Sequence, residues 1–119
     1  MNYQEIGFLA ENIAARHLKE NGYDILDKNY RKPWGEIDII AKKVGVIIFV
    51  EVKSSSREVE GMNPEVRVDW RKIKKIKRTA YLYLEYELGD MDCEWQIDVV
   101  SVIFDSNKKS AHLKHFKNI

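Results

Sequence analysis

The stretch from Gly35 to Lys53, GEIDIIAKKVGVIIFVEVK, constrains the fold more than any other part of the chain. Val46-Ile47-Ile48-Phe49-Val50 is an unbroken apolar run, the pattern of a strand covered on both faces. It leads directly into Glu51-Val52-Lys53, and the preceding segment sets Glu36 and Asp38 among isoleucines. Val44-Gly45 reads as a tight turn, so the two segments form an antiparallel hairpin. Folded about that turn, Asp38 faces Glu51 and Glu36 faces Lys53, and directly opposed residues hold their Cβ atoms about 4.5–5.5 Å apart. Side chains at i and i+2 share a face. Glu36, Asp38 and Ile40 therefore point one way, as do Ile47, Phe49, Glu51 and Lys53. Val44 is a poor residue for a turn that needs positive φ. A one-residue slip would bury the charges without partners, so the facing register is the expected one.

Two carboxylates so close in a partly buried site repel each other, and one tends to keep its proton. A divalent cation removes the conflict. Mg²⁺, with Mn²⁺ as its substitute, takes carboxylate oxygens and keeps several waters. Beside a phosphate, such an ion activates water and offsets developing charge. Asp38 and Glu51 are the expected metal ligands. Lys53 would orient the water or neutralise the pentacovalent phosphorus, and Glu36 would order the ligands. The plain alternative is a Glu36–Lys53 cross-strand ion pair, with Asp38 and Glu51 at solvated strand ends.

Around this hairpin the chain reads as α/β. Its 119 residues suit a single domain, residues 1–119, and the 45% hydrophobic content can supply one core. Ile6, Leu9, Ala10, Ile13, Ala14, His17 and Leu18 predict an amphipathic helix over 4–20, stopped by Asn21-Gly22. Strands are predicted over 23–30, 36–41 and 46–53, then a long mobile loop, Ser54 to Pro64. Trp70, Ile73, Ile76, Ala80, Tyr83 and Leu84 predict a second helix over 70–88, ended by Gly89-Asp90. A fourth strand is expected over 93–104 and a short edge strand over 111–116. The first three strands form a meander and the second helix crosses over to the fourth, giving a mixed central sheet with helices packed on it.

No stretch approaches the roughly 20 apolar residues of a membrane span, and the N-terminus lacks the features of a secretion signal. Cys93 is the only cysteine, which excludes an internal disulfide and a four-cysteine zinc site. The expectation is a soluble cytoplasmic protein without a membrane partner. Net charge is only +1, but seven basic residues and one acid lie between Arg67 and Arg78. Arg71, Lys74, Lys75 and Arg78 point away from the second helix's apolar side. They read either as a surface for a phosphate backbone or as a solvated helix face. Arg31, Lys32 and Trp34 can grip a backbone and stack on a base, or Trp34 can pack over the hairpin. His112 and His115 fall on opposite strand faces, which argues against a shared metal. His17 reads as a core residue, and Asp98 as the partner of a nearby basic group. Tyr81, Tyr83 and Tyr86 suit packing or a dimer surface.

Ile37-Asp38 and Glu51-Val52-Lys53 resemble the PD-(D/E)-X-K nuclease signature, without its proline. Beyond the motif, most of residues 7–102 resembles the YraN-like family of small bacterial proteins, related to archaeal Holliday junction resolvases. The resemblance rests on the segment from Gly7 to Arg31 ending in NYR, on GEIDIIA and FVEVK, on Lys72, Ile76, Ala80 and Leu84, and on IDVVSV from Ile97. It implies a restriction-endonuclease-like core and Mg²⁺-dependent cleavage of DNA, branched or damaged DNA among the candidates. RNA remains an alternative substrate, and a non-catalytic nucleic-acid-binding or adaptor module an alternative function. A homodimer would match the two related backbones of a branch. Glu11 corresponds to the first-helix acid of these nucleases and Lys72 to a family lysine that can touch phosphate. Solvated surface roles are the plain alternatives for both. Many relatives place an arginine within two residues of the motif lysine; here Ser54-Ser55-Ser56 intervene before Arg57.

Overall fold

The computed structural model describes residues 2–56, 69–105 and 110–119. Asn2 opens the first helix, α1 (Tyr3–Glu20). Its side chain accepts the Glu5 N–H at 2.8 Å and donates to the Glu5 carboxylate at 3.2 Å, a reciprocal cap. The helix ends as the sequence predicts: Gly22 takes a φ of 85° and the Tyr23 N–H returns to the Leu18 carbonyl at 2.9 Å. Strands β1 (Asp24–Lys32), β2 (Gly35–Lys43) and β3 (Val46–Ser56) follow as an antiparallel meander. The second helix, α2 (Trp70–Tyr83), is capped by Asp69, which accepts the Arg71 N–H at 2.9 Å. It widens into a π-helical turn over Leu84–Leu88, and Gly89 at φ 66° ends it. β4 (Glu94–Asp105) runs parallel to β3, and β5 (Ser110–Phe116) pairs antiparallel with β4. The result is a mixed five-stranded sheet ordered β1-β2-β3-β4-β5, with two α-helices among the described residues.

The helices cover opposite faces of the sheet. Ala10, Ala14, Ala15 and Leu18 of α1 pack with Ile39, Ala41, Ile48, Val50, Val100 and Val102. Ile73, Ile76, Ala80 and Tyr83 of α2 pack with Ile40, Ile47, Phe49 and Ile97. Alternation along Ile47–Val50 thus delivers successive side chains into two different cores, which is why that run contains no polar residue. Each fully buried Val, Ile or Phe contributes roughly 1.5–3 kcal/mol relative to exposure.

The hairpin closes as a two-residue turn between the paired Lys43 and Val46, with φ of 47° at Val44 and 78° at Gly45. Both values suit the twist of the flanking strands. Val44 is 93% exposed, so its strain is that of its own backbone and not of packing. β3 runs three residues further than expected. Ser54, Ser55 and Ser56 pair with Val102, Ile103 and Phe104 of β4, because a parallel backbone ladder needs no apolar side chains to continue. The remainder of the expected loop, residues 57–64, lies outside the described residues.

Candidate functional site

β2 and β3 part company after the pair Ile39–Val50, while β3 stays bonded to β4 as far as Ser56. At that fork the Asp38 carboxylate accepts the Val52 N–H at 2.8 Å, taking the place of a ladder bond. Glu51 lies next to it, its backbone beside Val99 and its carboxylate buried. The Asp38 and Glu51 carboxyls lie close enough for each to influence the other's ionisation. On the α2 side, the Lys72 ammonium forms an ion pair with Oε1 of Glu51. Across Asp38, on the α1 side, Glu11 is within hydrogen-bonding reach of both Asp38 and Asn29. The Lys53 charge is felt at Glu51. Glu11, Asp38, Glu51, Lys53 and Lys72 therefore come together at one end of the sheet.

Local backbone geometry explains how Asp38 reaches both layers. Asn29 adopts φ 53°, a left-handed conformation asparagine tolerates better than most residues. Lys28 before it donates to the Asn12 side chain of α1 at 2.8 Å, whereas Tyr30 after it stacks edge-on against Tyr83 of α2. β2 makes the same change of side opposite: Ile37 packs with the α2 core and Ile39 with the α1 core. Asp38 sits at this change-over, half-buried between layers. The strict alternation expected of Glu36, Asp38 and Ile40 is broken here.

Burial dominates the electrostatics of the cluster. Burial raises the Asp38 carboxyl above its usual range, with the Val52 N–H and Lys72 pulling the other way. Burial, then the Asp38 charge, pushes Glu51 up to about 7 against the pull of Lys72 and Lys53. Glu11 is raised by burial and by Asp38, with Asn29 and Arg31 opposing. Burial works against the Lys72 ammonium, but its contact with Glu51 outweighs that and holds it above the usual lysine value. Among the described residues, no three His, Cys, Asp or Glu side chains close around one point as a ready-made coordination sphere. What the site offers is a pair of hard oxygen donors, Asp38 and Glu51, with Glu11 on the far side of Asp38. One or two carboxylates plus retained waters is the arrangement Mg²⁺ favours, so the donor chemistry fits that ion.

The other candidate residues are distributed around this end of the sheet. Glu36 is exposed and pairs across β1–β2 with Arg31 at 3.8 Å, and the β2–β3 ladder stops before the Glu36 and Lys53 positions that were expected to face each other. Lys32 lies 3.9 Å from the Glu87 carboxylate and over the Tyr30 ring. Trp34 is partly exposed, and its carbonyl accepts a hydrogen bond from Arg78 of α2 at 3.4 Å. Arg71, Lys74, Lys75 and Arg78 are all exposed. At 100° per residue, Lys75 falls on the helix between Lys72 and that outer face. The basic surface therefore begins at Glu51 and sweeps around α2 toward the β1–β2 turn. Arg57 lies outside the described residues.

One polar network was anticipated only in part, through the basic partner expected for Asp98. Asp98 is fully buried and accepts hydrogen bonds from His115 at 2.7 Å, the Asn118 N–H at 2.9 Å and the Gln96 amide at 2.9 Å. His115 also meets His17 of α1 at 3.2 Å, and His17 meets the Asn21 amide at 3.3 Å. Burial would raise Asp98, but the three donors overcome it and hold the carboxyl below its usual range. Burial keeps His17 below the usual imidazole value, helped by the facing His115. The three-residue spacing of His112 and His115 carries no hint of this, since the partners come from α1 and β4.

These features define an α/β protein with a mixed five-stranded sheet, carrying a lysine-flanked carboxylate cluster where two antiparallel strands fork. The sequence model of the uncharacterised protein family UPF0102 matches residues 10–102, and the chain belongs to that family, the YraN-like family of the resemblance noted above. The chain is 44% identical to a UPF0102 protein of Fervidobacterium nodosum over 93% of its own length and 78% of the relative's. It is 46% identical to a UPF0102 protein of Campylobacter fetus subsp. fetus over 81% of each chain. It is 37% identical to one of Clostridium botulinum over 97% of its own length and 93% of the relative's. Among the described residues no helix is long and apolar enough to cross a membrane.

Proposed function

We propose that this chain is a divalent-metal-dependent endonuclease with a restriction-endonuclease-like core that hydrolyses phosphodiester bonds in DNA, branched or damaged DNA being the substrates to try first. The observation that carries the reading is the buried Glu51 carboxyl beside Asp38 at the β2–β3 fork, raised to about 7 and flanked by Lys53 and Lys72. Catalytic sites collect such strained pairs, because the same burial that makes them costly makes them effective. Asp38 and Glu51 would hold the cation, with Glu11 reaching it through Asp38 or a water. When bound, the ion supplies charge neutralisation at the phosphate and lowers the pKa of water.

The remaining work falls to this chain's side chains. The Val52 N–H holds one oxygen of Asp38, which fixes the carboxylate beside Glu51. Lys53, on a strand paired with β4, would orient the attacking water and meet charge developing on the phosphate. Asn29 and Arg31 favour the charged form of Glu11 against burial and the Asp38 charge. Arg31, Lys32, Arg71, Lys74, Lys75 and Arg78 would contact the phosphate backbone around the fork, and partly exposed Trp34 offers a surface for a base.

A second reading has its own support. Lys72 already neutralises Glu51, and among the described residues every buried side-chain nitrogen and oxygen has a partner. That is the state a non-catalytic nucleic-acid-binding or adaptor module would keep. Cleavage of branched, nicked, linear and single-stranded DNA, and of RNA, in Mg²⁺ and Mn²⁺ separates the two. The nuclease reading expects metal-dependent cleavage that Asp38→Asn and Lys53→Ala each reduce by about 10²-fold or more, with DNA binding largely retained. Binding without cleavage across the whole panel, in both metals, would establish the module instead.

A further inference from the structure

The Lys72–Glu51 ion pair raises a problem for any cation that is to sit between Asp38 and Glu51. Lys72 Nζ contacts Oε1 of Glu51, so its ammonium already occupies one of the two oxygens, and offsets the charge, that this carboxylate would offer a cation. Glu51 has little freedom to turn elsewhere: its backbone is locked into the β3–β4 ladder and its side chain is 5% exposed. Lys72 is different. Its side chain is 49% exposed, and it projects from the flank of α2 that leads through Lys75 to the exposed Arg71–Arg78 face. A lysine has four rotatable carbons between backbone and charge. Its ammonium can leave Glu51 without any movement of the helix, and the direction open to it is the basic surface.

Resting on the function proposed above, we propose that Lys72 is an exchangeable place-holder for the metal. It neutralises Glu51 while no cation is bound, gives up the oxygen when one enters, and then joins the basic surface as a phosphate contact. One side chain thereby couples the two binding events. Metal entry exposes a positive charge to the DNA, and DNA that captures Lys72 clears the metal site. By linkage each ligand strengthens the other to the same degree.

The test needs no turnover. Mn²⁺ affinity is measured by electron paramagnetic resonance titration without nucleic acid on the wild type, Lys72→Gln and Lys72→Arg, each checked for a native melting transition. The glutamine keeps a donor for Glu51 but removes the competing charge, so binding should tighten roughly tenfold. The arginine keeps the charge and grips a carboxylate with two donors, so binding should be weaker than wild type. The affinity order Gln, Lys, Arg, tightest first, supports the place-holder. Equal affinities, or the reverse order, overturn it. Lys72→Gln should also lower the salt slope of DNA binding by about 0.9 when the metal is present and leave it unchanged when it is absent. An equal loss in both conditions would make Lys72 a permanent phosphate contact and overturn the exchange. Asp38→Asn serves as the reference. If wild type binds Mn²⁺ and Asp38→Asn does not, while the Lys72 series is flat, the metal site stands and the place-holder falls. If no variant binds Mn²⁺, both fall together.

Discussion

Gly35 opens β2 directly beneath α2, and a methyl group there would collide with Oγ1 of Thr79. Thr79 is fully buried, and its hydroxyl donates to the Lys75 carbonyl at 2.9 Å, so it cannot swing away without stranding a polar group. The added Cβ would stand 3.5 Å from the Thr79 Cβ and 3.8 Å from its methyl, both ordinary contacts. The steric part of the Gly35→Ala penalty therefore lies in one atom, and the backbone φ of 159° adds a strain that no change at Thr79 relieves. Overpacking of this kind costs about 1–3 kcal/mol. Removing Oγ1 by Thr79→Ala should recover most of that, a coupling of about 1–2 kcal/mol between the two positions. Thr79→Val, which keeps a methyl where a colliding atom stands, should recover little. Urea unfolding followed by far-ultraviolet circular dichroism on the four proteins of the cycle measures the coupling directly. If Gly35→Ala costs the same in the Thr79→Ala background as in the wild type, the glycine is required for some other reason, and the close docking of α2 on β2 is misassigned.

Val44→Asn should stabilise the protein by about 0.5–1.5 kcal/mol, because asparagine accepts the positive φ that strains an exposed β-branched residue; an unchanged urea midpoint would count against the strain. Asp98→Ala should cost about 2–4 kcal/mol and speed amide exchange at Asn118 and Ile119, whose N–H groups are bound to Asp98 and Ile97. Both Asp98 and His17 titrate below their usual values, and the sign is the same for each. Their stabilisation is complete above the unfolded-state pKa, near 3.8 for Asp98 and 6.5 for His17, and drains away as pH falls through those ranges. Between pH 7 and 5 the raised Glu51 works in the opposite direction, so the His17 contribution is read as the difference between wild-type and His17→Gln melts, which should shrink as pH falls through that range, while the Asp98 contribution is lost below pH 4 in both proteins. Glu51, raised to about 7, must lose its proton to bind a cation. Mn²⁺ affinity should rise with pH through neutrality and level off above pH 8, with proton uptake by the buffer as the calorimetric readout.

Much of this was legible in the chain because it depends on near neighbours. The hairpin register followed from the apolar run and the position of Gly45, even though Val44 is a poor turn residue, since a slipped register would have buried unpaired charge. Asp38 and Glu51 are thirteen residues apart, but a two-residue turn makes them adjacent. Lys72 was recognised by resemblance and not by geometry, because which side of α2 faces Glu51 is decided by how the helix docks. The hairpin was expected to pair as far as Glu36 and Lys53, but the ladder ends sooner, where the Asp38 side chain accepts the Val52 N–H, an event no periodicity announces. His17, Asp98 and His115 come from three elements, with 98 residues separating the two histidines, so only the finished sheet brings them together. The serines after Lys53 looked like loop by composition and are strand by virtue of β4.

The fork gives the cluster one stiff jaw and one sprung jaw. Glu51 and Lys53 ride on a ladder that continues to Ser56, while on the β2 side Asp38 is tied to β3 beyond Val50 by its bond to the Val52 N–H. The gap between the two carboxyls is thus spanned by one side-chain-to-backbone bond, while Ile37 and Ile39 on either side of Asp38 anchor β2 in the two hydrophobic layers.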